Sequence, residues 1–244
     1  MRGLVLPPTA WLVVFLVIPT AVVAAMAFSP EGLKALGDGA TWALLGRSFA
    51  VAAVSTALCL AVSYPVAYFV AGCGPTWRNF LLFLVVLPFW TNLLVRTYSL
   101  IFVLRPLGLY LTPAAGVIGL VHNFLPFMIL PLYASIEKLP KGLLEASQDL
   151  GASPWTTFWK VTVPLTMPGI AAGSILVFIP AFGIFALPEL LCGTSLTMVG
   201  NQINLLYKND PKSPGGAAFT LVLMVSTLAL TWTYHRLRKT EGLV

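Results

Sequence analysis

Residues 145–170 read EASQDLGASPWTTFWKVTVPLTMPGI, and they differ from everything around them. The stretch carries Glu145, Gln148, Asp149 and Lys160, two tryptophans, and a glycine between two helix-like runs, whereas the flanking sequence is strongly apolar. Its spacing predicts two short helices. Pro140 precedes KGLLEASQDL, and Gly151 stands where a left-handed C-terminal cap is wanted. Ser153-Pro154 then supplies an N-cap followed by proline at the first helical position. The second run lasts until Pro164 and Pro168 break it. In the first run Leu143, Leu144, Ser147 and Leu150 share one face at i, i+3, i+4 and i+7 spacing, with Glu145, Gln148 and Asp149 largely off it. Such a segment suits either a connector lying on the membrane, with Trp155 and Trp159 in the headgroups, or a docking element for a protein. Surface-lying helices carry a basic polar face. This one is acidic, which favours docking.

The rest of the chain explains why a polar loop stands out. Of 244 residues, 58% are hydrophobic and only 9% charged, and mean hydropathy is +0.90. Soluble domains carry about 25% charged residues, so this is an integral membrane protein. The formal charge of +6 has no basic run interleaved with aromatics behind it, which excludes a nucleic-acid partner. Basic residues in short loops set topology instead. Cys59, Cys73 and Cys192 form no CxxC pair and support neither a disulfide framework nor a metal site.

Six segments reach the roughly 20 apolar residues that a spanning helix needs: 4–28, 49–71, 80–104, 114–136, 170–192 and 217–234. The fold class expected is therefore all-α, a polytopic protein forming one transmembrane domain over residues 1–244, with strand alternation absent. The first segment is too long for a signal-peptide core and reads as a retained helix. An even number of spans puts both termini on one side. With that side cytoplasmic, the inner loops hold eight basic residues (Arg2, Arg78, Lys138, Lys141, Lys160, Arg236, Arg238, Lys239) against five outside (Lys34, Arg47, Arg105, Lys208, Lys212). The positive-inside rule thus predicts cytoplasmic termini and puts the polar loop, residues 137–169, in the cytoplasm.

The loop also carries a resemblance. Glu145-Ala146-Ser147, three residues, Gly151, nine residues, then Val161-Thr162-Val163-Pro164 is similar to the EAA motif of ABC importer permeases, which reads EAA, three residues, Gly, nine residues, I-x-L-P. PFWTNLLVRTYS (88–99), NFLPFMILPLYASIEKLP (123–140) and LPELLCGTSLTMVGNQI (187–203) resemble the spermidine/putrescine permeases of that superfamily, and the likeness runs over most of residues 50–230. The resemblance implies the fold of a type I ABC importer permease in the bacterial inner membrane. It implies that the loop is a coupling helix seated on a separate ATPase, with Leu143, Glu145, Ala146, Ser147, Asp149, Gly151 and Pro154 as its contact residues. The implied partners are a second permease subunit, two ATPase subunits and an extracytoplasmic solute-binding protein, and the implied solute is a polyamine. No Walker A sequence occurs, so ATP and magnesium fall to the ATPase, and this chain is expected to need no cofactor.

Other chemistries fit less well. Ser153, Ser174 and His122 suggest an intramembrane serine protease, but capping and close helix packing account for the serines, and His122 reads as a packed residue rather than a base. No catalytic residue is assigned. Arg96 and Glu189, inside apolar segments, suggest an ion-coupled carrier, yet such carriers show internal repeats that are not visible here. A permease for another small solute remains the alternative to a polyamine permease. Intramembrane ionisable groups face a cavity or the bundle interior. Glu189, freed by the Pro188 break, is therefore expected to offer a carboxylate to a polycation, with Trp90, Tyr98 and Tyr133 giving cation–π faces. Arg96 is expected to act as a gate or structural charge. On straight helices Arg96 would lie about 24 Å and Glu189 about 28 Å from the inner ends of their spans, at comparable depth.

Overall fold

The structure, a computed structural model, describes residues 11–241. Residues 4–10 of the first expected span, Arg2, and the last three residues lie outside this range. Every regular element among the described residues is helical.

A π-helical stretch, Val13–Val17, runs into α1, Ile18–Ala27. Ser29 then caps α2, Pro30–Gly37, by accepting from the Gly32 amide, and the two parts meet at 75°. Asp38 caps α3, Gly39–Gly72, by accepting from Ala40 N at 3.0 Å. At 1.5 Å per residue this 34-residue helix is about 51 Å long, well beyond a hydrocarbon core of about 30 Å. It starts ten residues before the expected 49–71 span because no breaker follows Asp38.

The expected continuous span over residues 80–104 is corrected. Helix α4, Pro75–Val86, tightens into a 3-10 turn, Leu87–Trp90, and then stops. After Thr91 and Asn92 a new helix, α5 (Leu93–Leu104), leaves at 102°. Proline within a helix removes an N–H and crowds the preceding turn, and Pro88 sits in that 3-10 turn. The Thr91 hydroxyl donates to the Pro88 carbonyl at 2.8 Å, which also accepts from the Thr91 amide at 3.2 Å, and Asn92 Oδ1 accepts from Leu94 N at 2.8 Å. The break is thus capped on both sides. Asn92→Ala is expected to cost about 1 kcal/mol, the usual price of losing an N-cap, read as a lower melting temperature in detergent.

Helix α6, Pro113–Ile136, is unbroken despite Pro126 and Pro131. The polar loop holds α7, Lys141–Asp149, and α8, Pro154–Thr157, followed by a π turn, Phe158–Thr162, and one turn of helix, α9 (Val163–Leu165). After a 66° bend comes α10, Met167–Gly183. The expected 170–192 span is also corrected, since the chain is non-helical at Ile184 and Phe185 before α11, Ala186–Cys192. Pro188 explains the position. Its ring would crowd the carbonyl four residues back, at Ile184, so it sits most easily in the first turn of a fresh helix. Two helices follow: α12, Val199–Asn209, and α13, Pro214–Glu241.

Three single helices, Gly39–Gly72, Pro113–Ile136 and Pro214–Trp232, are long and apolar enough to cross a membrane, or up to six spans if each bent pair counts as one. Helices α3, α6 and α10 pack on one another and bury Ala52, Cys59, Leu120, Met128, Leu132, Val177 and Ala181 completely. Lipid offers no hydrophobic drive for helix association, so close backbone approach through small residues matters. At Gly169 a β-carbon would sit 2.8 Å from the Pro131 carbonyl oxygen. A smaller cluster, Ala27, Ala217 and Ala218, joins α1 to α13. From Trp11 to Ile18 every side chain is 48–64% exposed, so that part of the first helix has only lipid or another subunit to cover it.

Candidate functional site

The polar loop is built from local rules. Helix α7 ends in a Schellman arrangement, with Gly151 N donating to Gln148 O at 2.8 Å and Ala152 N to Ser147 O at 3.1 Å, and Gly151 takes φ +79°. Ser153 opens α8 by accepting from Thr156 N at 3.2 Å. The two arms are tied together by Ser147 Oγ and Thr157 Oγ1, 2.8 Å apart. Thr157, Thr162 and Thr166 are buried, and Thr166 Oγ1 lies 2.7 Å from Tyr64 Oη on α3. The second arm is therefore locked to the helical core through hydroxyls and the Phe158–Tyr64 edge contact. Removing the bridge with Ser147→Ala is expected to cost about 1 kcal/mol and to loosen α7, measured as faster amide exchange over residues 141–152.

The first arm is the exposed one. Glu145, Ala146, Asp149, Gly151 and Pro154 are all exposed, and Ser147 is half-buried. Leu143 is 46% exposed and Leu150 is 89% exposed. The expected common face of Leu143, Leu144, Ser147 and Leu150 is thus divided. Only Leu144 and Ser147 turn toward the chain, because Leu150 falls on the capping residue where the helix has already ended. An acidic helix end with a bare leucine beside it has the makings of a surface for another protein.

The five path candidates separate into three places. Glu189 sits on α11, half-exposed, accepting from Asn204 Nδ2 at 3.2 Å and pairing with Lys208 Nζ at 3.5 Å, both from α12. It does not pair with Arg96. Arg96, on α5, is half-buried, and its Nε and Nη1 have no hydrogen-bond partner among the described residues. Trp90 is 75% exposed at the break, with its ring 5.8 Å from that of Phe83, and Tyr98 is 53% exposed on α5. Helix α11 packs against both α5 and α6, so Trp90, Arg96, Tyr98 and Glu189 lie on neighbouring elements. Tyr133 does not join them. It is 9% exposed at the last turn of α6, beside Arg78 and Glu137. The equal depths inferred for Arg96 and Glu189 also fall, because both helices are broken before those residues.

Two groups were missed from sequence. Asn204 and Lys208 hold Glu189, and Arg78 donates to Glu137 at 2.9 Å. Arg78 and Glu137 did offer a signal, as opposite charges just outside the apolar runs 80–104 and 114–136. Lys208 offered none.

The chain matches the family described as "Binding-protein-dependent transport system inner membrane component" over residues 63–240, a stretch that includes the polar loop and all five path candidates. The chain belongs to that family. This inner membrane component is 37% identical over 256 residues to the spermidine/putrescine transport system permease protein PotB of Escherichia coli (strain K12), covering 93% of each chain. It is 37% identical over 260 residues to PotB of Haemophilus influenzae, covering 94% of this chain and 91% of that one. It is 33% identical over 233 residues to the inner membrane ABC transporter permease protein YdcU of E. coli (strain K12), covering 82% and 74%. In fold it is similar to a bacterial ABC transporter involved in the import of the acidic polysaccharide alginate, with TM-score 0.75, 17% identity, and 96% and 94% of the two chains covered. The inner membrane component is thus a transport permease subunit by family, and it shares the fold of a chain in a bacterial ABC transporter.

Proposed function

We propose that this inner membrane component is one of two permease subunits in an ATP-driven importer of polyamines. Both termini lie in the cytoplasm, and so does the loop at residues 137–169. A solute-binding protein delivers the polyamine on the outer side, and two ATPase subunits, which bind ATP and magnesium, drive the cycle from the inner side. Helix α7 is the part that engages the ATPase, through Leu143, Glu145, Ala146, Ser147, Asp149, Gly151 and Pro154. The observation that carries this reading is the division of the loop: one arm fixed to the core, the other rigidly capped and exposed, with Leu150 89% accessible beside acidic residues. A free connector would need neither the double cap nor the hydroxyl bridge. Likeness to the spermidine/putrescine permeases supports the choice of solute.

The test is reconstitution. The permease is copurified with the products of adjoining genes, placed in vesicles with its binding protein, and supplied with labelled spermidine. ATP-dependent accumulation is expected. A complex that hydrolyses ATP under binding-protein stimulation yet accumulates neither spermidine nor putrescine would overturn the solute, and absence of a copurifying ATPase would overturn the coupling.

A further inference from the structure

Helix α4 rests on the core only through the partly buried Leu81, Leu82 and Val85. None of its residues is buried, and it ends outward at the 102° break that leads to α5. Its inner end is fixed differently. Arg78, in its first turn, sets Nη1 2.9 Å from Oε1 of Glu137, in the only ion pair between residues 75–104 and the rest of the described chain. Glu137 directly follows α6 and stands four residues ahead of α7. Tyr133, one turn back on α6, lies beside both charges, and the pair's side chains are 29% and 42% exposed.

We propose that the Arg78–Glu137 pair is the strut through which movement of α7 reaches the broken span carrying Trp90, Arg96 and Tyr98, making both of them positioning residues for transport. The inference rests on the coupling role proposed above. A 12-residue helix is a stiff rod about 18 Å long. With only the partly buried Leu81, Leu82 and Val85 to hold it against the core, α4 can tilt with its inner end. With a capped break at its outer end, a small displacement there re-aims α5. An element biased from both ends is what a coupling claim needs in physical terms.

The experiment uses the whole complex in vesicles. Val95→Cys, on exposed α5, is placed in a Cys73→Ser background, and its labelling by a membrane-impermeant thiol reagent is followed with and without ATP. Labelling that changes with ATP in the parent is expected to lose that change in Arg78→Gln and in Glu137→Gln. Import per ATP should fall by roughly two- to thirtyfold, the span for residues along a coupled network. The charge swap, Arg78→Glu with Glu137→Arg, should recover most of both. A pair that serves stability alone would lower the melting temperature and leave the ATP-dependent labelling intact, and that result overturns the proposal. So does a parent whose labelling ignores ATP, or a swap that recovers nothing. Should the glutamine variants fail to assemble, Arg78→Lys and Glu137→Asp are measured in the same way, and unchanged labelling there overturns it equally. A parent that labels with ATP but imports no spermidine sinks the polyamine assignment and leaves the strut standing.

Discussion

Gly151→Leu is expected to insert and assemble normally, while uptake per ATP hydrolysed drops about tenfold. The structure separates the two effects. A β-carbon at Gly151 would meet nothing within 4 Å, so no clash inside the chain threatens the fold. The penalty is conformational: φ is +79°, where a side chain costs about 1–2 kcal/mol. An energy of that size changes a two-state ratio by a factor of about 5–30. The chain can relieve the strain only by giving up the Schellman bonds from Gly151 and Ala152, which turns the end of α7 and moves Leu150 with it. Since that end is the proposed ATPase contact, hydrolysis continues without delivering its stroke. Gly151→Asn, which tolerates the left-handed region better, should retain much more coupling than Gly151→Leu. Coupled turnover at the wild-type rate in the leucine variant would remove Gly151 from the coupling role and leave it a helix cap.

Glu189→Gln is expected to retain assembly and basal ATPase activity but to lose most polyamine uptake. The carboxylate is held by one amide at 3.2 Å and one ammonium at 3.5 Å, with the Glu189 and Lys208 side chains 48% and 63% exposed. Exposed ion pairs of this kind are worth about 0–1 kcal/mol, so Lys208 is a partner that an arriving ammonium can displace. Glutamine preserves the shape and the bond to Asn204 but removes the charge. Hydrogen bonds to charged groups contribute about 1.5–3 kcal/mol, which puts the expected loss of apparent affinity at roughly ten- to hundredfold. Uptake at the wild-type rate and half-saturation would show that Glu189 is no solute ligand. Failure to assemble would make it a structural anchor for α12.

What could be read from sequence was what local rules decide. The caps at Gly151 and Ser153, the proline starts and the apolar runs are each written within a few residues, and the structure realises those caps with the bonds described. The breaks were less visible. Residues 80–104 and 170–192 are apolar throughout, so a hydropathy reading sees two continuous spans, and only Pro88 with Thr91-Asn92, and Pro188 after Gly183, mark where the helices stop. Pairings over long distances were not legible at all. Glu189 has Lys208 and not Arg96 for a partner because α12, which carries Lys208 19 residues further on, returns beside α11, and no spacing rule contains that turn. The separation of Tyr133 from the other aromatics was likewise hidden, because its neighbour Arg78 comes from a segment 55 residues away.

The small cluster joining α1 to α13 also has a bearing on how the protein is made. Ala27 is completed by Ala217 and Ala218, so α1 is packed against a helix synthesised much later in the chain. Roughly 190 residues separate the two faces, about 10–40 s of synthesis at 5–20 residues per second. Throughout that interval the three-helix core can form, since α3, α6 and α10 are all complete before α13 begins. The N-terminal helix has to wait in the bilayer or beside the insertion machinery, and chains cut short before Pro214 leave it without its partner.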